Sequence, residues 1–217
     1  MTATVAEFRR FGKVFEDPGD GEMTMIPMGY MLKKVAPPPG WVGAPSVEQV
    51  LSLSSHVNDN FTDYIDFWRH NRWWLFDRPE IMLEIAHEQK IDTTGLTLFY
   101  YEAFDHEYDA DEGIWRQIEP DDGCATQVEV PKVKSLRGYD VVTYEMRNAP
   151  ECSPLSCNCM AQELPVNRFC LFEDFTTAHE AVATGKFENS EPGPYRIFAV
   201  YAVDEATDGF PARPANS

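Results

Sequence analysis

The sequence predicts an α+β fold with helices mainly in the N-terminal half and a mostly antiparallel sheet in the C-terminal half, where one late helix interrupts it. Apolar residues recur with helical spacing between residues 58 and 90. From residue 96 the pattern changes to period two, rich in β-branched and aromatic residues. Because the helices precede most strands and no βα unit repeats regularly, the order indicates α+β and not a parallel α/β sheet.

The chain of 217 residues is large enough to bury a core without disulfides, and 43% of its residues are hydrophobic. Weak patterning and a turn at Pro18–Gly21 set residues 1–22 apart as a poorly patterned N-terminal segment. We predict a single α+β domain over residues 23–203, followed by a frayed polar tail over residues 204–217. No internal repeat is evident from the sequence alone.

The elements of the first half are a strand at Met25–Val35 and two helices. The first helix is capped by Asn58 or Asp59. Its apolar stripe consists of Phe61, Tyr64, Ile65 and Trp68. The second begins at Asp77, with Pro79 in its first turn and Glu80 at the capping-box position.

The second half is predicted to be mainly strands. They are residues 96–104 (LTLFYYEAF), a hairpin partner at 114–118, and residues 127–133, 139–146 and 195–203. A helix capped by Asp174 and ending at Gly185 separates the last two strands, and the cysteine-containing segment before it is predicted to be a loop.

The formal net charge is −18. This charge argues against binding nucleic acid or an anionic membrane, and it favours a basic protein partner. Residues 105–122 carry eight acidic residues against the single base Arg116, a run typical of a solvated hairpin. No apolar stretch reaches membrane-spanning length, and the N-terminus lacks an apolar core of signal-peptide length, so we expect a cytoplasmic protein.

The cysteines carry the chemistry that the sequence suggests. Four of the five lie within nineteen residues, in the spacing C-x4-C-x-C-x10-C. Thiolates are preferred zinc ligands, and clustered cysteines in a reducing cytosol are often ligands. We therefore consider a zinc site formed by Cys152, Cys157, Cys159 and Cys170, with His179 as a substitute ligand.

Two alternatives to a metal remain open for these cysteines. The paired C-x2-C knuckles of common zinc sites are absent from the sequence. The first alternative is therefore that the thiols are buried in the core and bind no metal. The second alternative is that the thiols act as redox or nucleophilic groups. The acidic neighbours Glu151 and Glu163 oppose this chemistry, because they would raise the pKa of a thiol.

Two further groups are candidates for a binding site. A polar segment between indole rings indicates a ligand pocket lined by His70, Arg72, Trp73 and Trp74; its structural alternative is a helix end. Strand alternation places Tyr100 and Glu102 on one face of the sheet, with His106 just beyond them, which is a set able to do acid–base chemistry.

Several stretches resemble a group of bacterial hypothetical proteins of about this length. They are MGYMLKKV, HNRWWLFDRPEI, TLFYYEAF, ECSPLSCN, PVNRFC and EPGPYRIFAVY, which together span most of residues 27–203. The resemblance implies a bacterial, cytosolic, single-unit protein. It implies no activity and transfers no catalytic residue.

The leading functional hypothesis is a binding or accessory protein whose cysteine-rich loop holds a structural metal such as zinc. One alternative is a small thiol-dependent enzyme. Another is a module whose acidic surface binds a basic partner protein.

Overall fold

An antiparallel sheet dominates the computed structural model, which describes residues 23–54, 56–65, 69–118, 127–144 and 149–203. The strands are β1 (Met25–Lys33), β2 (Thr97–Asp109), β3 (Ile114–Gln117), β4 (Lys134–Thr143) and β5 (Tyr195–Val203). The helices are α1 (Pro79–Gln89), α2 (Pro154–Cys157) and α3 (Phe175–Ala183). Single 3-10 turns lie at Phe61–Tyr64 and Met160–Gln162.

The strand order across the sheet is β1-β2-β5-β4, and β3 pairs with β2. Each of these pairings is antiparallel. The central strand β5 is buried along most of its length because both faces of the sheet are covered, so it reads as a nearly continuous apolar run. Among the described helices, none is long and apolar enough to cross a membrane.

The predicted concentration of helices in the N-terminal half is wrong. The described chain has three short helices, and two of them follow β4. The apolar stripe that begins at Phe61 forms one 3-10 turn because Asn60 pairs with Lys33 of β1, and the backbone is extended again at Ile65. The fold is therefore dominated by its sheet, with helices on either side of the chain's midpoint.

Other local predictions have mixed outcomes. The strand at 195–203, the β2–β3 hairpin and the Asp174 cap, whose side chain accepts a hydrogen bond from Thr177, are confirmed. Residues 127–133 form no strand, and β4 begins at Lys134, five positions before the predicted 139–146. The predicted segments 1–22 and 204–217 lie outside the described residues.

Two halves of the sheet have the same local construction, which the sequence analysis missed. In each half, an outer strand with a bulge before a glycine (Gly29 or Gly138) pairs with an inner strand. The residue after that glycine pairs with a phenylalanine, as Tyr30 with Phe76 in one half and Tyr139 with Phe172 in the other. A helix starts three residues after each phenylalanine.

The same tight loop supports both bulges. Its sequences are NRWWLF over residues 71–76 and NRFCLF over residues 167–172. The amide of Asn71 donates to the carbonyl of Met28 at 2.8 Å, and the amide of Asn167 donates to the carbonyl of Arg137 at 2.8 Å. The fourth loop residue has a positive φ in each case, 62° at Trp74 and 60° at Cys170.

The two units, 25–109 and 134–203, are therefore related by a pseudo-twofold axis at the centre of the sheet. Tyr101 pairs with both Gly29 and Val200, and Val200 pairs with both Gly138 and Tyr101. We name the two faces of the sheet by their residues. The tyrosine face carries Tyr30, Tyr100, Glu102, Tyr139 and Tyr201; the network face carries Lys33, Tyr101 and Asp140.

Candidate metal centre

The chain segment after β4 brings two cysteines to the end of that strand. The backbone N–H of Thr143 donates to the carbonyl of Cys152 at 2.8 Å, which fixes Cys152 beside the strand. Pro154 is the first residue of α2. Proline is favoured there because the N–H of the first helical residue has no partner within the helix, so its absence loses no hydrogen bond. This single turn carries Cys157 back toward Cys152.

A third side chain reaches the cysteines from the first half of the chain. The backbone N–H of His56 donates to the hydroxyl of Ser54 at 3.2 Å, and His56 Nδ1 lies 3.6 Å from Cys157 Sγ. Among the described residues, His56, Cys152 and Cys157 form a group whose ligand atoms all lie within 4.8 Å of one another. Cys152 is buried, Cys157 is half-buried and His56 is exposed.

This spacing matches the dimensions of a tetrahedral zinc centre. Zinc–sulfur and zinc–nitrogen bonds of about 2.3 and 2.0 Å at a tetrahedral angle place S and N about 3.5 Å apart. The observed separation of 3.6 Å between His56 Nδ1 and Cys157 Sγ agrees with that distance. The three groups are thus compatible with a single metal ion.

Cys157 is the group best able to carry negative charge. The neighbouring Cys152 side chain, with smaller contributions from Ser54 and His56, lowers the pKa of Cys157 to about 5 despite its burial. The same interaction and burial raise the pKa of Cys152 far above its usual range. The two pKa shifts have opposite directions, so the environment favours the thiolate form at Cys157 and the thiol form at Cys152.

A buried polar network on the network face adjoins the two cysteines. The Asp140 carboxylate accepts hydrogen bonds from the hydroxyls of Ser52 at 2.8 Å and Ser153 at 2.6 Å, and from the backbone N–H of Leu53 at 3.0 Å. The Lys33 ammonium donates to the carbonyls of Ser52 and, at 3.2 Å, Ser54.

Ser54 joins this network to the cysteines. Its hydroxyl lies 3.7 Å from Cys157 Sγ and donates to the carbonyl of Glu151 at 2.8 Å. Burial lowers the pKa of Lys33 to about 7, and burial raises the pKa of Asp140 to about 6. Both titratable groups of this network therefore change charge near neutral pH.

The structure brings together two of the four cysteines named from the sequence. Cys152 and Cys157 belong to the three-residue group, whereas Cys159 and Cys170 do not. Cys159 is half-buried with φ 63°, and Cys170 is buried in a core cluster. His179 lies on α3, where its ring stacks on Trp115 with centroids 4.5 Å apart. The four-cysteine zinc site stays a prediction.

The pocket residues named from the sequence lie in the loop that supports β1. Trp73 is buried in the core, and the Arg72 guanidinium lies over its ring at 4.1 Å. The ring of His70 stacks on Trp74 with centroids 4.3 Å apart. Packing and loop geometry explain these contacts, and the ligand pocket at this loop stays a prediction.

Sequence reasoning missed His56, Lys33 and Asp140. A signal existed for the two charges, because each lies within an otherwise apolar strand pattern, in MGYMLK and YDVV. His56 gave no such signal, since it is distant in sequence from the cysteines and sits among small polar residues.

Comparison with known proteins adds no functional assignment. No family model, curated protein or solved structure matches the chain. The chemistry of the site therefore rests on its own geometry.

Proposed function

We propose that this protein binds a transition-metal ion, with zinc the best match, through His56, Cys152 and Cys157. The observation that carries the proposal is the convergence of two thiols and an imidazole within 4.8 Å. Sulfur and imidazole ligands favour zinc over calcium or magnesium, which prefer oxygen.

The charge state of the cysteines supports this proposal. A metal ligand must be deprotonated, and Cys157 already has a lowered pKa of about 5. Binding a cation would displace the remaining proton of Cys152, so metal uptake releases protons. The cation would also replace the hydrogen bond from the Cys152 thiol to Asn158 Oδ1, at 3.6 Å, with a metal–sulfur bond.

Three protein ligands leave one tetrahedral position for an external group. Structural zinc sites commonly have four protein ligands, whereas catalytic sites have three and an open position, including the Cys2His type. His56 is exposed, so the side of the centre that it forms faces solvent. We therefore propose a centre accessible to water or a small ligand, in place of a closed structural one.

Metal content and cobalt substitution test the proposal. Protein purified without chelator should contain about one equivalent of zinc, as tight thiolate sites do. Replacement by Co²⁺ should give sulfur-to-cobalt charge-transfer absorption in the near ultraviolet. The variants Cys157→Ser and His56→Ala should each lower the metal content and weaken that absorption.

Cys159→Ser is the matched control, because it removes a thiol two positions from Cys157 that lies outside the group. This variant should keep the metal and the cobalt spectrum. Metal-free wild-type protein that also fails to bind added Co²⁺ would contradict the proposal, as would equal loss of metal in Cys159→Ser and Cys157→Ser.

A second candidate, thiol chemistry without a metal, is favoured by the lowered pKa of Cys157. It predicts that Cys157 is alkylated by iodoacetamide much faster than the other cysteines at pH 7 in metal-free protein. Uniformly slow alkylation of all cysteines in native protein would contradict this candidate. That result would not bear on the metal proposal, which is tested by metal content and cobalt binding.

A further inference from the structure

A second charged cluster lies on the tyrosine face, separate from the cysteines. The Lys134 ammonium is 4.1 Å from the ring centroid of Tyr201 and 4.8 Å from that of Tyr100. It also forms an ion pair with Glu102. One ammonium group is thus held by two aromatic rings and a carboxylate.

The surroundings of Glu102 resemble a formed cation site more than a surface ion pair. Its side chain is only 13% exposed, and its Oε1 accepts a hydrogen bond from the Tyr100 hydroxyl at 3.2 Å. A carboxylate in such a position needs a cation partner, because a buried charge without one is costly. Aromatic rings over a desolvated cation attract it further through their quadrupoles.

The pseudo-twofold axis explains how this site arises. Glu102 and Tyr201 occupy equivalent positions on the two central strands, one residue beyond Tyr101 and Val200 respectively. A carboxylate and an aromatic ring therefore approach each other across the centre of the sheet. The adjacent β2 residue Tyr100, which pairs with Tyr201, supplies the second ring.

Lys134 is placed where its side chain can leave without disrupting the sheet. It is the first residue of β4 and pairs with Val203, the last residue of β5. The preceding residues 127–133 have no regular secondary structure. Withdrawal of this side chain thus affects a strand end and leaves the central pairing intact.

From these contacts we propose that Glu102, Tyr100 and Tyr201 bind an organic ammonium ion and that Lys134 occupies this site in the free protein. The ligand is a primary or methylated alkylamine, whose charge pairs with Glu102 and whose alkyl part packs against the rings. The net charge of −18 raises the local concentration of such cations. This site is independent of the proposed metal centre.

The test removes the tethered ammonium and supplies a free one. The Lys134→Ala variant should unfold at a lower temperature than wild type, and n-butylammonium should raise its midpoint with saturation at constant ionic strength. Wild-type protein should need at least about tenfold more n-butylammonium for the same shift, because the tethered lysine competes at high effective concentration. Lys134→Met, which keeps an alkyl stem, replaces Lys134→Ala if that variant does not fold.

Lys132→Ala is the matched control, since this nearby lysine is exposed and it is Lys134 that forms the ion pair with Glu102. It should respond to n-butylammonium as wild type does, and neutral n-butanol should not rescue Lys134→Ala. Adding Glu102→Gln to Lys134→Ala should abolish the saturable response. Stabilisation that is equal in all variants, or absent from both Lys134 variants, would overturn the proposal.

Discussion

The buried pair formed by Lys33 and Asp140 has an unusual relation to pH. Neither side chain is exposed, and Ser52 links them by accepting from Lys33 through its carbonyl and donating to Asp140 through its hydroxyl. Burial disfavours the charged form of each group, which lowers the pKa of Lys33 to about 7 and raises that of Asp140 to about 6.

These two shifts predict that the pair contributes least to stability between about pH 6 and 7. From about pH 4 to 6 the folded protein keeps a proton on Asp140 that the unfolded chain has lost, so stability falls as pH rises. From about pH 7 to 10 the unfolded chain keeps a proton that folded Lys33 has lost, so stability rises with pH. The Asp140 limb spans roughly 3 kcal/mol and the Lys33 limb roughly 5 kcal/mol.

Urea unfolding across this pH range measures the contribution of the pair. The comparison is between wild type and a double variant that combines Lys33→Met with Asp140→Asn. The difference between the two stability curves should have its minimum near pH 6–7. A difference that rises steadily from pH 4 to 7 would show that the carboxylate is stabilised in its charged form, contrary to this account.

Individual site residues were only partly predictable from the sequence. Cys152 and Cys157 stood out because cysteine clusters are rare, and both belong to the group found. Their partner His56 comes from a loop 101 positions from Cys157, and only the tertiary fold brings the two together. Long-range contacts of this kind leave no mark in local spacing.

At the scale of single elements, the two bulged strands depend on their glycines. Gly29 has φ +132° and Gly138 has φ +139°, a region that L side chains rarely adopt. A Cβ added at these positions would lie 2.7 Å from the carbonyl oxygen of Phe76 or 2.5 Å from that of Phe172. Backbone atoms cannot shift without a large energetic cost, so the outer strand would have to move away from the loop that supports its bulge.

We predict that Gly29→Ala and Gly138→Ala each destabilise the protein by roughly 2–4 kcal/mol, since strain and steric overlap act together. Gly40→Ala is the control, because nothing lies within 4 Å of its added Cβ. Urea unfolding measures all three free energies. A loss below about 0.5 kcal/mol at either bulge would refute the requirement for glycine there.

Elements were predicted correctly where the pattern of neighbouring residues alone determines the structure. The β5 run YRIFAVYAV was predicted to the residue because both faces of that strand are buried, whereas the stripe near Phe61 indicated a helix that tertiary pairing overrides. Both copies of the N-R-x-x-L-F loop were visible in the sequence, at 71–76 and 167–172, but only the structure shows their shared role.

At the scale of the whole molecule, the two units depend on each other through the β2–β5 pairing. Each unit alone would expose an unpaired, apolar inner strand, because Tyr101, Phe198 and Val200 are all buried in the intact sheet. Neither unit presents a complete core without its neighbour.

Fragments 1–118 and 119–217 should therefore lack cooperative unfolding when prepared separately, and they should regain it when mixed. Circular dichroism during thermal unfolding, together with sedimentation of the mixture, measures both properties. The substitution Val200→Lys, which places a charge at the centre of the interface, should prevent reassociation. Cooperative unfolding of either fragment alone would show that the units are separable domains.

The pseudo-twofold relation suggests that the chain arose by duplication of an ancestral segment, and the charged residues mark how the copies diverged. The counterpart of Lys33 is Val142, and the counterpart of Asp140 is Met31, as their positions relative to Gly29 and Gly138 show. An ancestor built from two identical copies would have had like charges, or none, at these places. A single mixed pair is therefore an asymmetry that arose after the copies separated, by gain of this pair or by loss of its symmetric counterpart, and a symmetric chain would carry two such pairs or none.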